Sequence, residues 1–342
     1  QDLFFTQSQG GIVAVNGLKG DLYGVTLSSV AQAVDTNLHT GVGDGIQRNG
    51  NNNVFINCNS QTFKQILQRL TVSGGCKDLI AVVHCDVLQT LDIDLGHAIA
   101  LGGGVTGDLT GFAAGCYLRG IRFVQMPTTL LAAVDASVGG KTAVNLAHGK
   151  NLAGLFHQPI GVYCDVDTMQ TLSPHEMADG AAEAIKTGIL GDPALFSIYE
   201  SGKPLAQLEE IISRAVAYKS KIVMEDPHEH GVRKLLNLGH TPAHAIERLS
   251  NFAISHGHAV AIGMAIVTRA AVRRGLLNSD VSTRILNTIK RSNLPVYCPY
   301  SAADMATVAA LDKKAAASDI TVILPEQIGA CRIEKMPITA LE

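Results

Sequence analysis

The sequence predicts an α/β domain with a parallel sheet, followed by a mainly α-helical domain. Three observations carry this. Up to about residue 165, short continuous apolar runs alternate with glycine turns and helical spacing, the pattern of buried parallel strands joined by crossover helices. From about residue 170 the apolar segments become long and helix-periodic. At about 100–200 residues per domain, a chain of 342 residues holds two domains, set here at 1–170 and 171–342.

Element by element, residues 1–60 show scattered glycines, an Asn-rich patch at 49–53 and no clear period. VFIN (54–57) reads as a strand. Residues 60–70 read as a helix with Phe63, Ile66, Leu67 and Leu70 on one face. DLIAVV (78–83), AIAL (98–101), RFVQM (122–126) and VYCDV (162–166) read as strands, the second ending in three glycines. Residues 172–190 read as a helix with Ser173 at its N-cap and Pro174 at its first position. Residues 208–226 place Leu208, Ile211, Ile212, Ala215, Ile222 and Val223 on one stripe. Residues 258–275 are apolar nearly all round, as in a buried helix.

Composition excludes several classes. With 46% apolar and 17% charged residues the chain builds an ordinary core. A net charge of −3 argues against a chain-wide nucleic-acid footprint but leaves room for a basic pocket. Aromatics are 5% and Trp is absent, which disfavours stacking platforms for single strands. The seven cysteines form no CxxC pair, so a reducing, cytosolic setting is expected. No apolar run reaches the 18 or so residues of a membrane span, and the first ten residues do not read as a secretory signal.

Four stretches carry chemistry. ALGGGVTGDLTGF (100–112) sets glycines between a strand and a helix. That is either a backbone cradle for pyrophosphate at a helix N-terminus or a plain tight turn. Residues 127–151 place Lys141 after a Gly-Gly pair, with Lys150 and Asn151 beyond. They read as a basic phosphate cradle or as a loop with solvated lysines. Glu183 and Lys186, three apart on a helix with apolar flanks, suggest a buried carboxylate that needs a cation, lysine or metal. Finally, His240, His244, His256 and His258 fall within 19 residues. The i, i+4 pair His240 and His244 is a common zinc spacing, and one Glu with two His leaves a coordination position open. Lys219, with Asp226, Glu229 and Arg233 after it, reads by itself as a solvated helix face.

Taken together, GGGVTGDLTGF, RGIRFVQMPTTLLAAVDASVGGKTAVN, GKN, AAEAIKTG, RKLLNLGHTPAHAIE, SHGHAV and DKK (312–314) resemble the sugar-phosphate cyclases, most closely the 3-dehydroquinate synthase family. The resemblance runs from about residue 98 to 330. It implies a Rossmann-like N-terminal domain and a helical C-terminal domain, with NAD and a divalent metal, zinc or cobalt, as cofactors. It implies a lyase of the shikimate pathway that converts 3-deoxy-D-arabino-heptulosonate 7-phosphate to 3-dehydroquinate and phosphate. The implied steps are oxidation at C5, phosphate elimination, return of the hydride, ring opening and aldol closure.

The resemblance also implies the site residues. Glu183, His240 and His256 would be the metal ligands, with His244 given instead to substrate and proton transfer. Lys141, Asn151, Asn237 and Lys314 would hold the phosphate, with Arg119 reaching it from a neighbouring subunit of a homodimer. Lys186, Lys219 and Arg233 would bind the carboxylate and hydroxyls, and Asp135 the sugar hydroxyls. Gly103, Gly104, Val105 and Asp108 would cradle the pyrophosphate. Thr128, Thr129, Leu131, Lys150, Thr171 and Glu176, with Asp135 and Lys141, would complete the cofactor site.

The sequence departs from the family where no DGExxK-like segment precedes the glycine turn, where His258 replaces a common Glu, and at Pro242 and Ala243. An Asp35-Thr-Asn37 triplet has the letters of the family's Asp-x-Asn pair in poor surroundings. The alternatives are an amino-dehydroquinate cyclase, a metal- and NAD-dependent alcohol dehydrogenase, or a cyclase-fold binding protein without activity. Asp108, Asn237 and DASVGGK argue against the scyllo-inosose and valiolone cyclases, and lysines 141, 150, 219 and 314 against the dehydrogenase.

Overall fold

The structure, a computed structural model, describes residues 2–8, 11–16, 98–146, 149–312 and 319–337. The segments expected at 54–57, 60–70 and 78–83, the Asp35–Asn37 triplet and Lys314 lie outside these residues. Contacts divide the chain into two units, Gln1–Thr171 and Leu172–Glu342.

In the first unit, β1 (Asp2–Ser8) and β2 (Gly11–Asn16) form a hairpin. Then come β3 (Ala98–Gly102), helix α1 (Gly104–Cys116), β4 (Phe123–Pro127), a second hairpin of β5 (Lys141–Leu146) and β6 (Gly149–Phe156), and β7 (Gly161–Asp165). The main sheet has the order β2-β1-β7-β4-β3. Strands β3, β4 and β7 are parallel, as expected, and β1 joins β7 antiparallel. Every residue of β4 and β7 is buried, Gln125 and Asp165 included, so apolar letters dominate both strands.

The glycines of the 100–112 stretch divide into two jobs. Gly102 to Gly104 make the turn into α1. Gly107 and Gly111, one turn apart on α1, let the helix close on the sheet. A Cβ at Gly107 would come within 2.5 Å of Gln125 Oε1, and one at Gly111 within 2.9 Å of the Phe123 ring.

The second unit is mainly helical. It comprises α2 (Pro174–Leu190), α3 (Pro193–Glu200), α4 (Leu208–Glu225), α5 (His240–Leu249), α6 (His256–Arg273), α7 (Ser279–Arg291) and α8 (Ala302–Asp312). A hairpin of β8 (Asp319–Gln327) and β9 (Ala330–Pro337) follows. Helix α2 starts as its sequence demands. Ser173 and Glu176 form a reciprocal capping box around Pro174. From Gly180 to Leu190 the helix is wholly buried, so it is the unit's central element. The hairpin reaches back to it, with the Gly329 N–H donating to Ile189 O at 2.9 Å. No helix among the described residues is long and apolar enough to cross a membrane.

Two close approaches fix the helices around α2. Gly257, in the first turn of α6, lies against the backbone of Asp179, where a Cβ would come within 2.3 Å of the carbonyl oxygen. Gly239 precedes α5 with φ of 77°, a left-handed conformation that favours glycine. Gly263 of α6 packs on it so tightly that a Cβ would come within 2.0 Å of Gly239 O. Any larger residue at 257 or 263 would push these backbones apart.

Candidate metal centre and active site

These contacts converge on Glu183. Its side chain is 1% exposed on α2. Its carboxylate meets three cationic or imidazole groups. The Lys186 ammonium is in close contact with Oε2. His240 Nε2 lies 3.6 Å and His256 Nε2 3.4 Å from Oε1. One ligand atom from each of Glu183, His240 and His256 falls within 4.8 Å of the others. His240 opens α5 behind Gly239, and His256 opens α6 before Gly257, so the two glycine contacts are what bring both rings to α2.

The electrostatics follow from burial. Burial pushes the Glu183 carboxyl up, but the Lys186 ammonium, then His240 and His256, outweigh it and hold it well below the usual range. His240 is lowered to about 3 by burial and by Lys186, and so is neutral and able to offer a lone pair. His256 is disfavoured as a cation by burial, yet contacts with Glu183 and Glu247 carry it to about 9.

The donor set fits a divalent metal. Neither buried oxygen of Glu183 has a hydrogen bond of good geometry, although buried carboxylates are normally satisfied. Two imidazoles and a carboxylate are a usual zinc set with one position left for water or substrate.

The spacing-based pairing of His240 with His244 is not what the structure builds. His244 is exposed, its ring lying edge-on to His240 with centroids 5.8 Å apart. His258, the fourth histidine of the cluster, faces Asp179 instead. Sequence reasoning missed Glu247. It is 4% exposed, and its Oε1 lies 3.4 Å from His256 Nδ1, where a carboxylate orients a ligand imidazole. The signal was its place seven residues after His240, on the same helical face.

The other expected residues of this unit are divided. Lys186, Lys219 and Arg233 are buried. Arg233 donates to Pro227 O at 2.5 Å, and its N–H to Asp226 Oδ2 at 3.0 Å. Asp226 also accepts from the N–H groups of His230 and Gly231. Asn237 donates to Glu229 Oε1 at 2.5 Å. Glu176 is engaged in the capping box of α2.

In the first unit the glycine turn and the 128–136 segment are neighbours. A Cβ at Gly103 would meet Thr129 Cγ2 at 3.3 Å, and one at Gly104 the Ala136 Cβ at 3.3 Å. The start of α1 has no side-chain cap and no acidic residue in its first turn, which suits an anion at its N–H groups. Val105 is exposed, and Asp108, Thr128, Leu131 and Asp135 are half-buried; Asp135 lies in a π-helical turn at Ala132–Ala136. Lys141, Lys150 and Asn151 are exposed on the β5–β6 hairpin, with Asn151 in the left-handed region at φ of 55°. Arg119 is exposed just past α1, also left-handed at φ of 70°. Thr171 closes the unit.

Comparison with known proteins agrees. Residues 80–179 match the family described as 3-dehydroquinate synthase N-terminal, and residues 180–315 the one described as 3-dehydroquinate synthase C-terminal. A 3-dehydroquinate synthase of Corynebacterium diphtheriae is 39% identical over 284 residues, covering 77% of this chain and 79% of that protein. One of Caulobacter vibrioides is 46% identical over 265 residues, covering 73% and 72%. Among solved structures, the 2-epi-5-epi-valiolone synthase ValA of Streptomyces hygroscopicus, with NAD+ and Zn2+ bound, superposes with a TM-score of 0.67 at 28% identity over 75% of each chain. A 2-deoxy-scyllo-inosose synthase with carbaglucose-6-phosphate, NAD+ and Co2+ superposes with 0.66 at 25% identity, also over 75% of each. Both halves of the fold match in sequence order, and the relatives are covered over more than two thirds of their length: the chain belongs to the 3-dehydroquinate synthase family.

Proposed function

We propose that this protein converts 3-deoxy-D-arabino-heptulosonate 7-phosphate to 3-dehydroquinate and phosphate, a lyase reaction of the shikimate pathway. Family membership supports the reaction class. The observation that carries the chemistry is the buried Glu183 carboxylate facing two imidazoles. When bound, NAD takes up and returns a hydride at C5, and a divalent metal, zinc or cobalt, polarises the hydroxyl there.

The chain's own residues supply the rest. Glu183, His240 and His256 hold the metal, and neutral His240 is suited to that role. The Gly103–Gly104 turn and the first turn of α1 receive the pyrophosphate. The 128–135 segment, Lys150, Thr171 and Glu176 complete the cofactor site. Lys186, Lys219 and Arg233 fix the substrate carboxylate and hydroxyls, their burial making each charge count more than it would in water. Lys141, Asn151, Asn237 and Lys314 bind the phosphate and stabilise it as it leaves. His244, exposed on α5, moves a proton to or from the substrate. A homodimer in which Arg119 serves the neighbouring site, a cytosolic location, and a division into a cofactor domain (1–170) and a metal and substrate domain (171–342) belong to the same reading.

The amino-dehydroquinate cyclase and the alcohol dehydrogenase are the competing readings. Phosphate release from 3-deoxy-D-arabino-heptulosonate 7-phosphate, with zinc and catalytic NAD, separates them. Many phosphates per NAD without net NADH are expected. NADH accumulation from simple polyols without phosphate release would make the protein a dehydrogenase.

A further inference from the structure

The contact between α2 and α6 carries a second group of ligand-type side chains, distinct from the first. His175 and Asp179 lie one turn apart on α2, and His258 lies in the first turn of α6. One ligand atom from each falls within 4.8 Å of the others. We propose that His175, Asp179 and His258 form a second, weaker site for a divalent transition metal of the zinc or nickel type, which clamps α2 to α6.

The donor chemistry selects the ion. Two imidazoles and one carboxylate suit zinc, nickel or copper, whereas calcium and magnesium take oxygen ligands. The distances fit. Two atoms that each sit about 2.1 Å from one zinc ion lie at most about 4.2 Å apart. His258 Nδ1 is 2.7 Å from Asp179 Oδ1, and His175 Nδ1 is 3.7 Å from Asp179 Oδ2.

Two of the three ligands are already fixed. The Ser255 hydroxyl donates to Asp179 Oδ1 at 2.7 Å, and the His258 N–H at 3.0 Å. These bonds hold the carboxylate with Oδ2 towards His175. The Asp179 and His258 side chains are 13% and 16% exposed, while that of His175 is 59% exposed. The residue that has to adjust is therefore the one with room to do so. Its ring already stacks on His258, with centroids 4.2 Å apart and planes 11° apart.

The placement gives the site a purpose. Asp179 and Glu183 are one turn apart, about 6 Å along α2, and His258 follows His256 by two residues. An ion at the outer group therefore ties together the two helix segments that present Glu183 and His256. Three protein ligands in a solvent-facing position form a weaker set than one with a buried carboxylate, so the outer group fills second.

Titration of metal-free protein with zinc chloride, followed by calorimetry, tests this. Two equivalents are expected, one tight and one weaker, the weaker one raising the melting temperature further. In His175→Ala the weaker equivalent is expected to lose at least about tenfold in affinity and its thermal increment, with the tight one retained. His175 is exposed, so this variant keeps its fold. Asp179→Asn, which keeps the side chain's size and its bond to Ser255, is expected to do the same. A single equivalent in the unaltered protein, or a weaker equivalent unchanged in both variants, overturns the proposal.

Discussion

Glu183 concentrates the unit's electrostatics in one side chain, and substitutions around it act on metal binding and on folding together. His256 is 28% exposed, yet it faces the buried carboxylates of Glu183 and Glu247, each at 3.4 Å, so His256→Ala removes a ligand and a partner of both. Zinc affinity measured by chelator competition is expected to fall more than about 100-fold, beyond the 10–100-fold of losing an outer-shell partner. Turnover is expected to vanish with it, and the metal-free protein to melt at a lower temperature, since two buried carboxylates lose a partner. Glu183→Ala is expected to cost more. It removes the carboxylate that meets Lys186, itself 2% exposed, and breaking a buried pair costs about 3–5 kcal/mol. Sequence and site agree best here. The apolar flanks of Glu183 announced its burial, whereas Glu247 gave only its helical phase, because what it faces comes from α6.

At the scale of elements, the spacing between α2 and α6 is set by a residue with no side chain. In Gly257→Ala the new methyl would meet Asp179 backbone, which cannot rotate away. Overpacking of this kind costs about 1–3 kcal/mol. Urea unfolding is expected to register that loss, and zinc affinity to fall in the same variant because Glu183 and His256 move apart. The link between α3 and α7 is of another kind. Arg284 donates twice to Glu200, at 2.8 and 2.9 Å, and these bonds hold the Glu200 carboxyl below its usual range. A depressed carboxyl contributes stability above its unfolded value, about 4.3, and loses it as pH falls through the folded value. Being partly exposed, the pair is worth about 0.2–1 kcal/mol. Glu200→Gln is expected to lower stability by that much at pH 7 and to match the unaltered protein at acid pH, measured by urea unfolding at both.

Which elements the sequence disclosed has a physical pattern. Strands β4 and β7 are buried on both faces and β3 is largely buried, so all three are written mostly in apolar letters, and α2 carries its Ser-Pro-x-Glu start in plain view. The β5–β6 hairpin did not show. Lys141, Asn145, Lys150 and Asn151 are exposed along it, and its register rests on backbone pairing. The β8–β9 hairpin was absorbed into a half read as helical, although Ile320, Val322, Ile323 and Leu324 are buried.

For the whole molecule, metal binding is expected to act as a stability switch on the second unit. Ligand present at 100 times its dissociation constant adds about 2.7 kcal/mol. Adding a chelator should lower the melting temperature, and hydrogen exchange should rise in α2, α5 and α6 while the β3–β4–β7 sheet is unaffected. Equal loss of protection in both units would show that the metal stabilises more than its own helices. The tie between Gly329 and Ile189 has a consequence in time. Cys331, beside the same carbonyl, is 142 residues further along the chain. At 5–20 residues per second, a ribosome needs roughly 7–30 s to cover that distance. A nascent chain therefore carries α2 with its end open for that whole interval, long enough for a chaperone to engage the apolar helix before its closing strands are made.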